Sequence, residues 1–158
     1  EPRRLQALSI AAVAREAVRL CALEANHAQV TIEQRMTDNL PPVYADRVLL
    51  EQVLLNLLRN AIDANREQQP GKPSRVLLCG EQEAGWLLIR VIDQGPGVAL
   101  EQQDGIFTPF TTSMPEGLGL GLSMSRSIVE GFGGTLQAGP SEAGGLILSC
   151  RLAPAATV

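Results

Sequence analysis

The clearest pattern along the chain is a run of apolar and polar positions with helical spacing between residues 46 and 66. Its apolar side consists of Leu50, Val53, Leu54, Leu57, Leu58, Ala61 and Ile62. At roughly 100° per residue, the polar positions fall within an arc of roughly 100°, and they are Gln52, Asn56, Arg59, Asn60 and Asp63. A solvent-facing stripe usually carries Glu and Lys, whereas amides and a carboxylate are good ligands for metals and hydrogen-bonding groups. The pattern therefore predicts a helix, N-capped by Asp46, whose polar face is either simply solvated or a ligand site.

Weaker patterns on both sides of this helix predict a mixed α+β domain. Helices are expected over 9–28, with Ser9 as N-cap, and over 122–130, where the glycines of 131–134 end the helix. Strands are expected at 29–36, 75–82, 86–92, 135–138 and 145–152, with the second and third joined as a hairpin through 83–85. Residues 100–117 lack periodicity, which predicts a long surface loop of the kind that serves as a lid or binding loop. The simplest assembly is a two-layer α/β sandwich, in which a mixed sheet of about five strands carries about three helices on one face.

Composition narrows the class of protein. The 158 residues fit one domain, and a net charge of −4 with scattered basic residues argues against nucleic-acid binding. No signal peptide is visible and no run approaches the ~20 apolar residues of a membrane span. We expect a cytoplasmic domain without membrane contact of its own, whether or not the parent protein is anchored in a membrane. Cys21, Cys79 and Cys150 lie far apart, which indicates buried thiols in a reducing compartment and neither a disulfide framework nor a zinc site. Because the chain begins at Glu1 without a methionine, we expect it to be part of a longer protein.

An aspartate followed by two glycines stands at the end of the predicted strand 86–92. In the run Asp93-Gln-Gly95-Pro-Gly97, the glycines allow a sharp turn and the close approach of a planar ligand. The carboxylate can accept a hydrogen bond from an amino group of such a ligand. The same run is also a common turn sequence, so the motif alone predicts either a turn or a ligand site.

Alternating glycines precede the predicted helix 122–130. Gly117, Gly119 and Gly121 would expose backbone N–H groups at a helix start, where the helix dipole favours an anion. The spacing differs from that of a P-loop, and the βαβ context of a dinucleotide-binding fingerprint is missing. The segment therefore predicts a phosphate cradle or, as the simpler alternative, a flexible hinge.

Taken together and in order, these motifs resemble the catalytic domain of bacterial sensor histidine kinases, of the nitrogen- and oxygen-sensing kind. The chain is also similar to the wider ATPase superfamily with the Bergerat fold, which includes gyrase, a heat-shock chaperone and the mismatch-repair ATPases. The motifs are an N box (Asn56, Asn60), a G1 box (Asp93, Gly95, Gly97), an F box (Phe107, Pro109, Phe110) and a G2 box (Gly117, Gly119, Gly121). The resemblance extends over residues 9–152, and it implies that residues 1–8 are a linker from separate dimerisation and phosphoacceptor helices.

The resemblance also implies that ATP and Mg²⁺ are bound. Asn60 would hold the Mg²⁺ that bridges the phosphates, Asn56 would support the phosphate side, and Asp93 would accept the adenine amino group. The other residues implied to bind ATP are Asp63, Gly95, Gly97, Thr111, Thr112, Gly117, Leu118, Gly119, Leu120, Gly121 and Leu122. Residues 100–117 would form the ATP lid. Two alternatives stay open on the polar face: Arg59 adds charge at the phosphates or lies at the surface, and Asp63 binds water or metal or simply caps hydrogen bonds.

Asn56 favours a kinase over a hydrolase. The hydrolase branch places a glutamate at this position to activate water, whereas an amide cannot take up a proton. A neutral imidazole is already nucleophilic, so histidine phosphorylation needs mainly positioning and charge stabilisation. His27 is the one histidine of the chain; it lacks the sequence context of a phosphoacceptor and is expected at the surface. The resemblance therefore implies that the acceptor histidine lies in the dimerisation helices of the parent kinase. A response regulator would receive the phosphoryl group from that histidine. Ser113 stands where relatives often have Lys. Two other functions stay open as alternatives to a histidine kinase: a serine kinase of the anti-sigma-factor type, or a degenerate nucleotide-binding module.

Overall fold

A computed structural model describes residues 4–108 and 118–155, with the backbone alone for 118–120. The strands are β1 (Leu5–Leu8), β2 (Val30–Met36), β3 (Val43–Asp46), β4 (Ser74–Glu83), β5 (Trp86–Ile92), β6 (Thr135–Pro140) and β7 (Leu146–Leu152). The helices are α1 (Ile10–Leu20), α2 (Ala22–His27), α3 (Arg47–Gln68) and α4 (Leu118–Gly131), and two 3₁₀ turns span Leu100–Gln102 and Asp104–Phe107. Within these ranges, no helix is long and apolar enough to cross a membrane.

The main sheet has five strands in the order β2-β4-β5-β7-β6. β2 pairs with β4 in parallel, and the other three pairings are antiparallel. Helices α1, α3 and α4 pack on this sheet, and the buried apolar residues form one core between the layers. The predicted α+β class, with a mixed sheet and a helical layer, is confirmed.

Helix α3 is the centre of the core. The seven apolar residues predicted to face inward are all buried, and four of the six leucines of α3, at positions 50, 54, 57 and 58, are fully excluded from solvent. Each such leucine contributes about 2 kcal/mol of hydrophobic stabilisation. The helix begins where predicted, because Oδ1 of Asp46 accepts a hydrogen bond from the Leu49 N–H group at 3.2 Å.

The expected helix over 9–28 is two helices, because the chain turns at Cys21 between α1 and α2. Ser9 caps α1 as predicted, accepting the Ala12 N–H group at 3.3 Å. Cys21, Ala25 and Ala28 are all buried. Their spacing continues the helical period across the turn, so the periodicity could not reveal the break.

Residues 5–8, which belong to the predicted linker 1–8, form the strand β1. This strand pairs antiparallel with β3, which was not predicted from the sequence. Leu8 and its partner Val43 are buried, so this two-stranded ribbon closes one end of the core. Four residues are too few for period-2 alternation to identify such a strand.

Helix α4 begins at Leu118, four residues before its predicted start, so Gly119 and Gly121 lie within its first turn. The first four N–H groups of a helix have no intrahelical partner, so glycine's poor helix propensity matters less there than packing against α3. The predicted glycine C-cap is confirmed: Gly133 has a φ of +79°, and the Gly134 N–H group bonds to the Val129 carbonyl at 3.0 Å.

Gly134→Ala is expected to lower the free energy of unfolding by about 2–3 kcal/mol, because the new Cβ forces a backbone shift. That atom would lie 2.1 Å from the Arg151 carbonyl oxygen of β7. Gly139→Ala in β6 is the matched control, since nothing lies within 4 Å of its Cβ position. Thermal and urea unfolding of both variants tests this, and equal stability of the two would contradict the close contact.

Candidate functional site

Asp93 lies just beyond the end of β5 and is only 3% exposed. Its Oδ1 atom accepts hydrogen bonds from the Gly95 N–H group at 2.9 Å and from the Leu146 N–H group at 3.0 Å. Among the residues that the structure describes, Oδ2 accepts no hydrogen bond. Burial raises the pKa of this carboxyl above its ordinary value, and the two backbone hydrogen bonds offset part of the rise. Asp93 is therefore a fixed, buried carboxylate with one acceptor oxygen available.

Glycines bring neighbouring backbone against this carboxylate. A Cβ on Gly95 would lie 2.6 Å from Cβ of Ala64 in α3. Gly97 has a φ of +76°, and a Cβ there would lie 2.5 Å from the Gly144 carbonyl oxygen. Gly145 was missed by the sequence analysis, although a Cβ on it would lie only 2.1 Å from the Asp93 carbonyl oxygen. The Gly144-Gly145 pair ahead of β7 was the signal that could have identified it.

The N box and the G2 box meet where α3 packs on α4. The Asn56 side-chain amide donates to Oγ of Ser125 at 3.3 Å and to the Gly121 carbonyl at 3.5 Å. Ser125 is completely buried, and the sequence analysis missed it because serine has no distinctive position in the apolar pattern of α4. Asn60 follows Asn56 by about one helical turn and is half-buried on the same face of α3. The first turn of α4 therefore lies beside the amide face of α3.

Arg59 and Asp63, on the polar face of α3, each form an ion pair. The Arg59 guanidinium contacts both carboxylate oxygens of Glu24 in α2, with the shortest distances at 2.8 Å. Of the two alternatives for Arg59, this geometry favours the surface role. Asp63 accepts a hydrogen bond from the Arg66 guanidinium at 2.9 Å and is half-buried.

The predicted loop starts with two 3₁₀ turns, and the second of them, Asp104–Phe107, packs on α4. Phe107 of the F box is buried, and the Arg126 guanidinium carbon lies 4.5 Å from the centre of its ring. Arg126 also contacts Asp104 at 3.3 Å, which ties the second 3₁₀ turn to α4. Leu122 is buried in the core. Pro109, Phe110, Thr111, Thr112, Ser113 and Gly117 lie outside the described residues, as do the side chains of Leu118 and Leu120.

The chemistry of these groups fits a nucleotide and a substrate-bound metal ion. A buried acceptor such as Oδ2 of Asp93 is suited to an exocyclic amino group. The N-terminal turn of a long helix is suited to phosphate oxygens. The described residues contain no cluster of three or more His, Cys, Asp or Glu that could hold a metal by themselves. Mg²⁺ commonly binds through few protein oxygens together with water and substrate phosphates, and a single amide oxygen on Asn60 fits that manner of binding.

Three features together define a nucleotide-binding domain of the ATPase type. They are the two-layer fold, the buried carboxylate beyond the end of a strand, and the start of a helix beside the amide face of α3. Residues 45–156 match the family of histidine kinase-, DNA gyrase B-, and HSP90-like ATPases, and the chain belongs to this family. Within it, the chain is 38% identical over 149 residues to the C4-dicarboxylate transport sensor protein DctS of Rhodobacter capsulatus. The match covers 94% of the chain and 22% of that relative, so the chain spans about a fifth of DctS.

Solved structures of histidine kinases have the same fold. Full-length ShkA in complex with AMPPNP matches with a TM-score of 0.84 and 27% identity, over 99% of this chain and 33% of ShkA. The catalytic domain of ThkA matches with a TM-score of 0.84 and 26% identity, over 96% of each chain. ThkA in complex with the response regulator TrrA matches with a TM-score of 0.79 and 25% identity, over 94% of this chain and 41% of ThkA. The chain is thus similar over nearly its whole length to histidine kinase catalytic domains.

Proposed function

We propose that this domain binds Mg-ATP and transfers the γ-phosphoryl group to a histidine in the separate dimerisation domain of a sensor kinase. The observation that carries the proposal is the buried Asp93 carboxylate, fixed through one oxygen and available through the other. The phosphohistidine would then pass its phosphoryl group to an aspartate of a response regulator. Both steps use cytoplasmic partners, so the domain would work in the cytoplasm.

The adenine end of the site is assigned to Asp93 and the glycines around it. Oδ2 would accept a hydrogen bond from the adenine amino group, which a carboxylate can do and an amide nitrogen cannot. Gly95 and Gly97 leave no side chain between the strand end and the base, and substitution of either would also create close contacts. The base would lie against the backbone that follows β5.

The phosphate end is assigned to the start of α4 and the amide face of α3. The N–H groups of Leu118, Gly119, Leu120 and Gly121 in the first turn would donate to phosphate oxygens, and the helix dipole favours their charge. Leu122 is the fifth residue of the helix, and it is assigned to ATP binding from the resemblance alone. Asn56 would hold this turn in place through Gly121 and Ser125. Asn60 would hold the Mg²⁺, which supplies charge neutralisation at the phosphates. Asp63 at the polar face of α3 and Thr111, Thr112 and Gly117 ahead of α4 are assigned to ATP binding from the resemblance alone.

Phosphoryl transfer to histidine is favoured over hydrolysis by the residues at the phosphate end. Asn56 cannot act as a base, and its amide is already bonded to α4. In the proposed step an acceptor imidazole nitrogen attacks the γ-phosphorus, the bond to the bridging oxygen breaks, and ADP leaves. His27 is exposed at the end of α2, as predicted, and is not assigned as the acceptor.

Phosphotransfer from γ-labelled ATP tests the proposal. The domain is incubated with Mg-ATP and the dimerisation helices of its parent kinase, and the labelled product is treated with acid and with base. We expect an acid-labile, base-stable phosphohistidine on the helices. An acid-stable, base-labile phosphoserine on a protein substrate would support the serine-kinase alternative. ATP binding without any transfer would support a degenerate nucleotide-binding module.

A further inference from the structure

Asn65 is a completely buried polar residue near the end of α3. Its Oδ1 atom accepts the Gln94 N–H group at 2.6 Å, and its Nδ2 atom donates to Oγ of Ser74 and to the Arg75 carbonyl, each at 3.0 Å. A buried side chain whose three hydrogen bonds reach two other segments of the chain fixes those segments relative to one another. The network joins α3, the start of β4 and the segment that follows β5.

The segment that Asn65 holds contains the proposed adenine acceptor. Gln94 directly follows Asp93, and its Oε1 atom accepts the Arg75 N–H group at 2.7 Å, which closes a ring of hydrogen bonds through Asn65. Gly95 packs against Ala64, the neighbour of Asn65, so closely that a Cβ would lie 2.6 Å from Cβ of Ala64. The last turns of α3 therefore support the backbone on both sides of Gln94.

We propose that Asn65 is a positioning residue that sets the preference of this site for adenine over guanine nucleotides. The inference rests on the proposed function, because it assigns Asn65 a role in the same site. Adenine presents an amino donor at the position where guanine presents a carbonyl acceptor. A carboxylate oxygen held opposite that position attracts the amino group of adenine and repels the carbonyl oxygen of guanine.

Discrimination of this kind depends on how firmly the acceptor is held. Two backbone N–H groups hold the Asp93 carboxylate itself, one from Leu146 at the start of β7 and one from Gly95 in the segment that follows β5. One of them is the Gly95 N–H group, which lies immediately after the peptide that Asn65 binds. Loss of Asn65 releases this peptide, so the carboxylate can shift or rotate and the difference between the two bases decreases.

The test compares dissociation constants for ATP and GTP in Asn65→Leu and Asn65→Ser with those of the unchanged chain, by competition with a fluorescent ATP analogue. We expect the ratio of the GTP constant to the ATP constant to fall by about tenfold or more in Asn65→Leu, since one well-made hydrogen bond corresponds to about that factor. Asn65→Ser is the milder variant to use if the leucine variant does not fold. Its shorter side chain cannot reach Gln94 and the Arg75 carbonyl together, so the ratio is expected to fall in the same direction.

Two controls separate positioning from general loss of stability. Ser74→Ala removes one partner of Asn65 and leaves the bond to Gln94, so the nucleotide ratio should stay within about twofold of the unchanged chain. Val13→Ala destabilises the buried side of α1, which has no residue in the site, and should leave the ratio unchanged. If both Asn65 variants leave the ratio of the GTP to the ATP dissociation constant unchanged, as is expected of the controls, Asn65 has only a structural role and the inference is overturned. If the unchanged chain binds neither nucleotide, the proposed function itself fails, and no comparison of variants is needed to see it.

Discussion

Asp93→Asn is expected to abolish ATP binding and leave the domain at least as stable as the unchanged chain at neutral pH. The asparagine oxygen can keep the hydrogen bonds from Gly95 and Leu146. Its amino group then replaces the free oxygen, so that two donors would face each other when adenine enters. We expect the affinity for ATP to fall by at least about 100-fold, because a good hydrogen bond is lost and a buried donor is left without a partner. Calorimetric titration with Mg-ATP measures this loss.

The stability of the same variant follows from the raised pKa of Asp93. Since the pKa of the folded state lies above that of the unfolded state, the folded state binds more protons in the interval between them. The stability contributed by Asp93 is therefore greatest at acidic pH and decreases as the pH rises through that interval. Asp93→Asn lacks this decrease, so its melting temperature relative to the unchanged chain should increase with pH over the interval. Asp38→Asn, at an exposed position, is the control. If Asp93→Asn loses more stability at neutral pH than at acidic pH, the pKa of Asp93 is not raised in the folded state.

Asn60→Ala is expected to reduce phosphotransfer by about 100- to 1,000-fold, the usual effect of removing one group that stabilises charge in a transition state. The side chain is half-buried on the face of α3 that lies beside α4, and its removal creates no large cavity. Binding of ADP without Mg²⁺ should change little, whereas the gain in ATP affinity that Mg²⁺ provides should be lost. Initial rates with labelled ATP, together with titrations in the presence and absence of Mg²⁺, separate the two effects.

Gln52→Ala is the matched control for this prediction. Gln52 lies on the same polar face about two turns before Asn60 and is exposed. The variant should keep the phosphotransfer rate and the response to Mg²⁺ of the unchanged chain. If Asn60→Ala behaves like this control, Asn60 does not hold the metal.

The parts of the fold that could be predicted from the sequence are those in which one spacing of apolar residues repeats over many residues. Helix α3 has about six turns of consistent apolar spacing, so its start and its apolar face were predicted correctly. It ends at Gln68, two residues beyond the predicted end at Arg66. Asp93 was assigned its role because four motifs in order resemble those of a known family, since its own motif also fits a common turn. The structure adds its burial and its two backbone hydrogen bonds, which no local pattern could contain.

The parts that could not be predicted depend on contacts between distant segments. The β1–β3 ribbon exists because residues about 40 positions apart pair with each other, and neither strand is long enough to show alternation. Asn65 and Ser125 are polar residues on helices, and only the tertiary structure reveals that they are buried and bonded. By its position in the helical period, Arg59 belongs to the polar face of α3. Its guanidinium group nevertheless forms an ion pair with Glu24 of α2.

The start of α4 illustrates a third kind of limit. Glycines usually indicate a loop, and on that basis the helix was predicted to begin at Leu122. In the folded domain the turn 118–121 is helical, because α3 supports it through Asn56. The resulting helix start is the feature on which the proposed phosphate site depends.

A crystal structure of the domain with Mg²⁺ and a non-hydrolysable ATP analogue would show whether Asp93 binds the adenine. We expect the adenine amino nitrogen at about 3 Å from Oδ2 of Asp93, with phosphate oxygens at the N–H groups of the first turn of α4. We also expect the metal ion on the side-chain oxygen of Asn60. A nucleotide bound elsewhere, or an adenine that makes no contact with Asp93, would show that this is not the ATP site.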